Sequence, residues 1–179
     1  ATANMFGVVA SSVLDSLVFE NLDFTGYCDN NSSNIKIAYL YSNKVASTVT
    51  NMKYINCSIH NFGNTTFRIS GAVNQAITNL TYNGCIINEI GYTSTYALVN
   101  TNSADLVNNI NFLNSTIYNF KGSLILRTGQ TINSITVQNC NINQAAQDPS
   151  TARYVFDLNT TTFAGTFTVK ITILGLTGS

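Results

Sequence analysis

The sequence is short of charge. Only 9% of its 179 residues are Asp, Glu, Lys or Arg, against roughly 25% in an ordinary globular domain. The eight basic residues are balanced by eight acidic ones, so there is no electrostatic footprint for nucleic acid. There is no Trp, one His and one Pro. One His and four Cys without a Cys-x-x-Cys pair do not make a metal-ligand set, and no cofactor motif is present. No apolar run approaches the ~18 residues of a membrane span.

Small polar residues fill the gap: 26 Asn, 23 Thr and 16 Ser. Apolar residues still make up 45% and aromatics 11%, which argues against disorder. Asn, Thr, Ser and β-branched residues are poor helix formers. The composition predicts one nearly all-β domain over residues 1–179.

The chain repeats itself. Val49-Thr-Asn-Met-Lys-Tyr-Ile-Asn-Cys-Ser-Ile-His-Asn-Phe62 aligns without gaps with Ile77–Ile90, Val107–Phe120 and Ile132–Ala145. Leu14–Tyr27 and Thr166–Ser179 are weaker copies. The fourth residues are Leu17, Met52, Leu80, Ile110, Ile135 and Val169, in steps of 35, 28, 30, 25 and 34. A tight motif with loose spacing means fixed strands joined by loops of varying length.

Position six holds Phe19, Tyr54, Tyr82, Phe112, Val137 and Ile171. Position nine holds Leu22, Cys57, Cys85, Ser115, Cys140 and Leu174, and position eleven is apolar from Phe24 to Leu176. Positions four and six alternate as in a strand, and so do nine and eleven. The phase slips by one between them, so the chain bends there. Position eight, at the bend, is Asn21, Asn56, Gly84, Asn114 and Asn139, residue types that tolerate the left-handed conformation of a tight corner. A ladder of Asn21, Asn56, Asn114 and Asn139 is expected. A second column holds Asn51, Asn79 and Asn109, with Ser16 and Ser134.

A further strand reads Ile35-Lys-Ile37, Phe67-Arg-Ile69, Leu124-Ile-Leu126 and Phe156-Asp-Leu158. Three short strands per unit, stacked unit on unit, describe a right-handed, single-stranded parallel β-helix of about five to six coils. At ~4.8 Å between strands the stack is about 26 Å long. A β-sandwich would need hairpin signals, and the single Asn83-Gly84 lies inside the repeat.

The pattern [VI]-x-N-φ-x-[FY]-x-N-[CS]-x-I resembles the coils of pectate-lyase-like β-helix proteins. It is most similar to β-helix domains of secreted or surface proteins from glycan-degrading bacteria. The resemblance implies a secreted or outer-cell-surface location. It also implies an asparagine ladder between the second and third sheets, and makes the Phe67-Arg-Ile69 strands the first sheet.

Three of the four cysteines share one inward column and read as buried free thiols, while Cys28 falls in a loop. The sequence starts and stops in mid-coil without a cap-like segment. It therefore reads as part of a larger exported protein, capped by neighbouring segments or by self-association.

No catalytic set emerges. The phasing points Lys36, Arg68, Val99, Ile125 and Asp157 outward from the first sheet, followed by Ala38, Ser70, Thr101, Arg127 and Asn159. No two acids adjoin in these columns. Asp15, Glu20, Asp23 and Asp29 crowd the first full coil without converging, and His60 reads as an exposed turn residue. Tyr92, Tyr96 and Tyr154 fall in loops before the first sheet, Tyr39 and Tyr41 in the loop after it. Arg68, Arg127, Asp157, Tyr92, Tyr96 and Tyr154 are the candidate ligand-binding residues, suited to stacking on and hydrogen-bonding a poly- or oligosaccharide. The sequence points to a non-catalytic module. The alternatives are a lyase or glycoside hydrolase acting on acidic glycans, and a structural spacer or adhesin segment.

Overall fold

The computed structural model describes residues 3–7, 11–27, 37–43, 47–69, 75–91, 98–101, 106–120, 123–127, 131–143, 156–157 and 162–163. Every regular element among them is a β-strand. Three sheets run the length of the stack, and all their pairings are parallel.

The first sheet holds Ala3–Phe6, Ile37–Asn43, Thr65–Ile69, Val99–Thr101, Ile125–Arg127 and Phe156–Asp157. The second holds Val13–Glu20, Ser47–Ile55, Gln75–Asn83, Leu106–Leu113 and Ser134–Gln138. The third holds Asp23–Thr25, Ser58–Phe62, Ile86–Ile90, Thr116–Phe120 and Asn141–Asn143. Thr131–Ile132 and Thr162–Phe163 form a separate parallel pair. The chain visits the three sheets in turn, an arrangement consistent with a parallel β-helix.

The motif columns are the strand registers. Leu17, Met52, Leu80, Ile110 and Ile135 are successive partners. So are Phe24, Ile59, Ile87, Ile117 and Ile142. The aromatic column stacks ring on ring. Phe19–Tyr54, Tyr54–Tyr82 and Tyr82–Phe112 centroids lie 5.1, 5.0 and 5.1 Å apart, tilted by 15°, 8° and 4°. Parallel strands set that spacing, which suits stacked rings. The Tyr54 and Tyr82 phenols each have a partner. Tyr54 donates to Met52 Sδ at 3.7 Å. Tyr82 donates to Thr66 Oγ1 at 3.1 Å, and Thr66 in turn donates to the Leu98 carbonyl at 2.9 Å. Burial holds both phenol pKa values well above the usual range.

The bend is left-handed in all five described copies: φ is 55° at Asn21, 50° at Asn56, 68° at Gly84, 49° at Asn114 and 53° at Asn139. A Cβ on Gly84 would run into the Asn56 side-chain oxygen, so a larger residue there would require Asn56 to turn aside. A second left-handed corner falls at motif position thirteen: Asn61 at 59°, Glu89 at 57° and Asn119 at 50°. It brings Phe62, Ile90 and Phe120 back to the core.

The asparagines divide into two ladders. In the second sheet Ser134 Oγ donates to Asn109 at 2.8 Å, Asn109 to Asn79 at 2.8 Å, and Asn79 to Asn51 at 2.9 Å. Asn51 ends the run on the Asp15 carbonyl at 3.4 Å. At the corner, Asn139 donates to Asn114 at 3.2 Å and Asn114 to Asn83 at 2.9 Å. Gly84 has no side chain to offer, so its neighbour Asn83 takes the place. Among the described residues no side-chain bond joins Asn21 to Asn56. Those two contribute backbone shape and main-chain bonds, Asn21 N–H to the Ile55 carbonyl and Asn56 N–H to the Asn83 carbonyl.

The first-sheet phasing differs from the sequence expectation. The second strand runs Ile37–Asn43, with Tyr41 paired to Phe67 and Ser42 to Arg68. Tyr41 is fully buried and stacks on Phe67 at 5.2 Å and 7°, so Tyr39 and Tyr41 are strand rather than loop residues. Val99 points inward, and Asn100 and Leu126 share the Arg68 register. The cause is local. Leu40–Tyr41 within its strand, and Leu98–Val99 and Ser123–Leu124 at the entry to theirs, are adjacent buried pairs, so alternation counted across them fails. Leu22 also departs from its column: it is 45% exposed, whereas Cys57 is 2% exposed. It precedes Asp23–Thr25, the outermost strand of the described third sheet.

Two outcomes follow. Asn79→Ala orphans a donor and an acceptor at mid-ladder and is expected to cost about 1–3 kcal/mol in denaturant unfolding, and Asn114→Ala, which forces alanine into the left-handed corner, about 1–2 kcal/mol. Glu89→Asn relieves a side chain held in the left-handed region, and a gain of about 1 kcal/mol is expected from the same measurement.

Candidate functional site

The position-nine column is the first place to look for chemistry, because it carries the thiols. Cys57, Cys85 and Cys140 are free, the first two buried. Each thiol hydrogen-bonds the carbonyl two residues back: Cys57 to Ile55 at 3.3 Å, Cys85 to Asn83 at 3.7 Å and Cys140 to Gln138 at 3.4 Å. Cys57 and Cys85 also reach carbonyls of the preceding coil, Phe19 at 3.5 Å and Tyr54 at 3.3 Å. Ser115 does the same with Leu113 at 2.7 Å, which explains why Ser and Cys exchange here. Burial pushes the Cys85 thiol from its ordinary value near 9 up to about 11, and raises Cys140. A protonated, buried thiol is a poor nucleophile, so the column is a corner cap.

The sequence candidates on the first sheet spread out. Arg68, Asn100, Leu126 and Asp157 share one register, so Arg68 and Asp157 are three strand steps apart, roughly 14 Å. Arg127 lies one residue past the partner of Asp157, in register with Thr101. Tyr92, Tyr96 and Tyr154, like Cys28 and Lys36, lie outside the described residues.

The third sheet assembles what the first does not. His60 is a strand residue, half-buried, and not the exposed turn residue expected. Its Nε2 lies 3.0 Å from Asp23 Oδ1, and its Nδ1 lies 2.9 Å from Asn61 Oδ1. One register further on, Asn88 Nδ2 donates to the Tyr118 hydroxyl at 2.8 Å. Thr25, His60, Asn88, Tyr118 and Asn143 are successive partners, at motif position twelve. Asp23, Ser58, Ile86, Thr116 and Asn141 form the parallel row at position ten. The buried residues of these strands lie between and beyond the two rows, so both rows face outward.

The signal for this face was in the alignment. Asp23 and His60 are diagonal neighbours once position twelve is read as strand; ending the strand at position eleven hid the pair. Among the described residues no group of three or more His, Cys, Asp or Glu is placed to hold a metal ion, and no helix is long and apolar enough to cross a membrane. No family model, curated protein or solved structure matches the chain.

The thiol geometry sets a pH dependence. Cys85 keeps its proton in the folded state to about pH 11 and loses it near 9 when unfolded. The unfolded chain therefore binds fewer protons between these values, and stability should be unaffected below pH 9 and fall as pH rises from 9 towards 11. Cys85→Ser should remove that share of the alkaline loss in urea midpoints measured across the window.

Proposed function

We propose that the chain is a right-handed parallel β-helix of five to six coils, pectate-lyase-like in its motif. It serves as a non-catalytic, glycan-contacting module of an exported or cell-surface bacterial protein. Right-handedness is what parallel strands joined by crossovers adopt in nearly all cases.

The binding reading is carried by the outer face of the third sheet. There Asp23, His60 and Asn61, and beside them Asn88 and Tyr118, form hydrogen-bonded sets on a regular strand platform. Amides, hydroxyls and a phenol ring are the groups that hold sugars. The preference for binding over hydrolysis rests on the described carboxylates. Asp15 and Glu20 sit five residues apart on one strand, roughly 17 Å, beyond the span that paired catalytic acids need. Asp23 is engaged by His60, and Glu89 occupies a corner of another strand.

Affinity electrophoresis against neutral and acidic polysaccharides, run beside an assay for released sugars and unsaturated products with and without calcium, tests the proposal. Retention by a glycan without product release is expected. Turnover would make the chain an enzyme, and failure to bind any glycan would leave a structural spacer.

A further inference from the structure

Resting on the glycan-binding reading, we propose that the outer face of the third sheet binds a neutral, extended oligosaccharide lying across the strands, along the axis of the stack. Three features of the face carry this: its shape, its chemistry and its prior order.

The shape is narrow in one direction and long in the other. Along each of the three middle strands only positions ten and twelve face outward before the left-handed residue at thirteen turns the chain. Across the strands the same two rows continue through five registers, about 19 Å at ~4.8 Å per step. A ligand that uses more than two outward positions must run across the strands.

The chemistry is polar but almost without charge. Neither row contains Lys or Arg, and the single carboxylate, Asp23, is held on His60. An acidic glycan finds no guanidinium or ammonium group here, whereas sugar hydroxyls find an amide, a hydroxyl or the His60 imidazole at each step. Ile86 is 50% exposed in the middle of the face. It lies one strand from the half-buried Tyr118, and the two give apolar contact for the C–H face of a sugar ring. Charged polymers, and protein partners that would need a larger apolar patch, fit this face less well.

The order is set before any ligand arrives. The Asn88 bond ties the Tyr118 ring to the neighbouring strand, and both His60 nitrogens are engaged. Side chains fixed in advance lose little freedom on binding, which favours affinity.

Calorimetric titration of the purified chain with neutral β-linked oligosaccharides of increasing length, and with an oligogalacturonate as the acidic arm, tests the proposal. Affinity for the neutral series should rise with length. Tyr118→Ala and Ile86→Ser should each weaken it about tenfold, the size of a binding hot spot. Lys53→Ala, on the second sheet, should leave it unchanged. Circular dichroism reports whether the variants fold. Amide shifts in the unmodified chain give a readout independent of mutation, and they should cluster at residues 23–25, 58–60, 86–88 and 116–118. If the chain binds glycans but both variants match it and the shifts fall elsewhere, this platform is wrong and the glycan-binding reading stands. Binding of the acidic arm alone overturns the neutral ligand. Absence of all binding overturns both.

Discussion

In-register stacking is the constraint on which everything else depends. Each strand pairs in parallel with the same strand of the next coil, so every side chain rests on its counterpart about 4.8 Å away. Where a column repeats one residue type, that type must tolerate its own kind as a neighbour. Aromatic rings do, face to face. Asparagines do, because each amide donates to one neighbour and accepts from the other. Like charges do not, and among the described registers no two acids and no two bases are paired. The scarcity of charge and the abundance of amide are thus two sides of one rule.

The corners are where the rule is hardest to satisfy, since a bend exposes main-chain groups to the interior. The left-handed residue at position eight turns the chain, and its N–H bonds the carbonyl of the following coil, as in Asn114 to Gln138 at 2.9 Å. The small donor at position nine then caps two carbonyls at once in Cys57 and Cys85. Thiol and hydroxyl are interchangeable in that role because both are compact donors. The corner fixes where the third sheet begins and which of its residues face outward.

The second and third sheets were legible in the sequence because their motif is ungapped. The five described copies align residue for residue, so a register could be counted and a left-handed corner placed from Asn and Gly alone. The first sheet was less legible, since loops of variable length precede it and adjacent buried pairs such as Leu98–Val99 break the alternation. Tyr41 shows the consequence: it reads as a loop residue, yet it packs on Phe67. The Asp23–His60 contact was missed for a different reason. It is a diagonal between coils, 37 residues apart, and needs both the register and the full strand length. The corner at position thirteen escaped because no single residue type marks it: Asn61 and Asn119 share the position with Glu89 and Gly26.

The interior is committed to stacking, and the outer face of the third sheet carries the Asp23–His60–Asn61 and Asn88–Tyr118 contacts on a regular platform. That surface exists only if the coils hold their register through the side-chain columns. A double-mutant cycle on Asn79 and Asn109, read by denaturant unfolding, tests this directly. Coupling of about 1 kcal/mol or more between the two is expected for partners in one ladder. Strictly additive effects would contradict the claim that stacked side chains set the register.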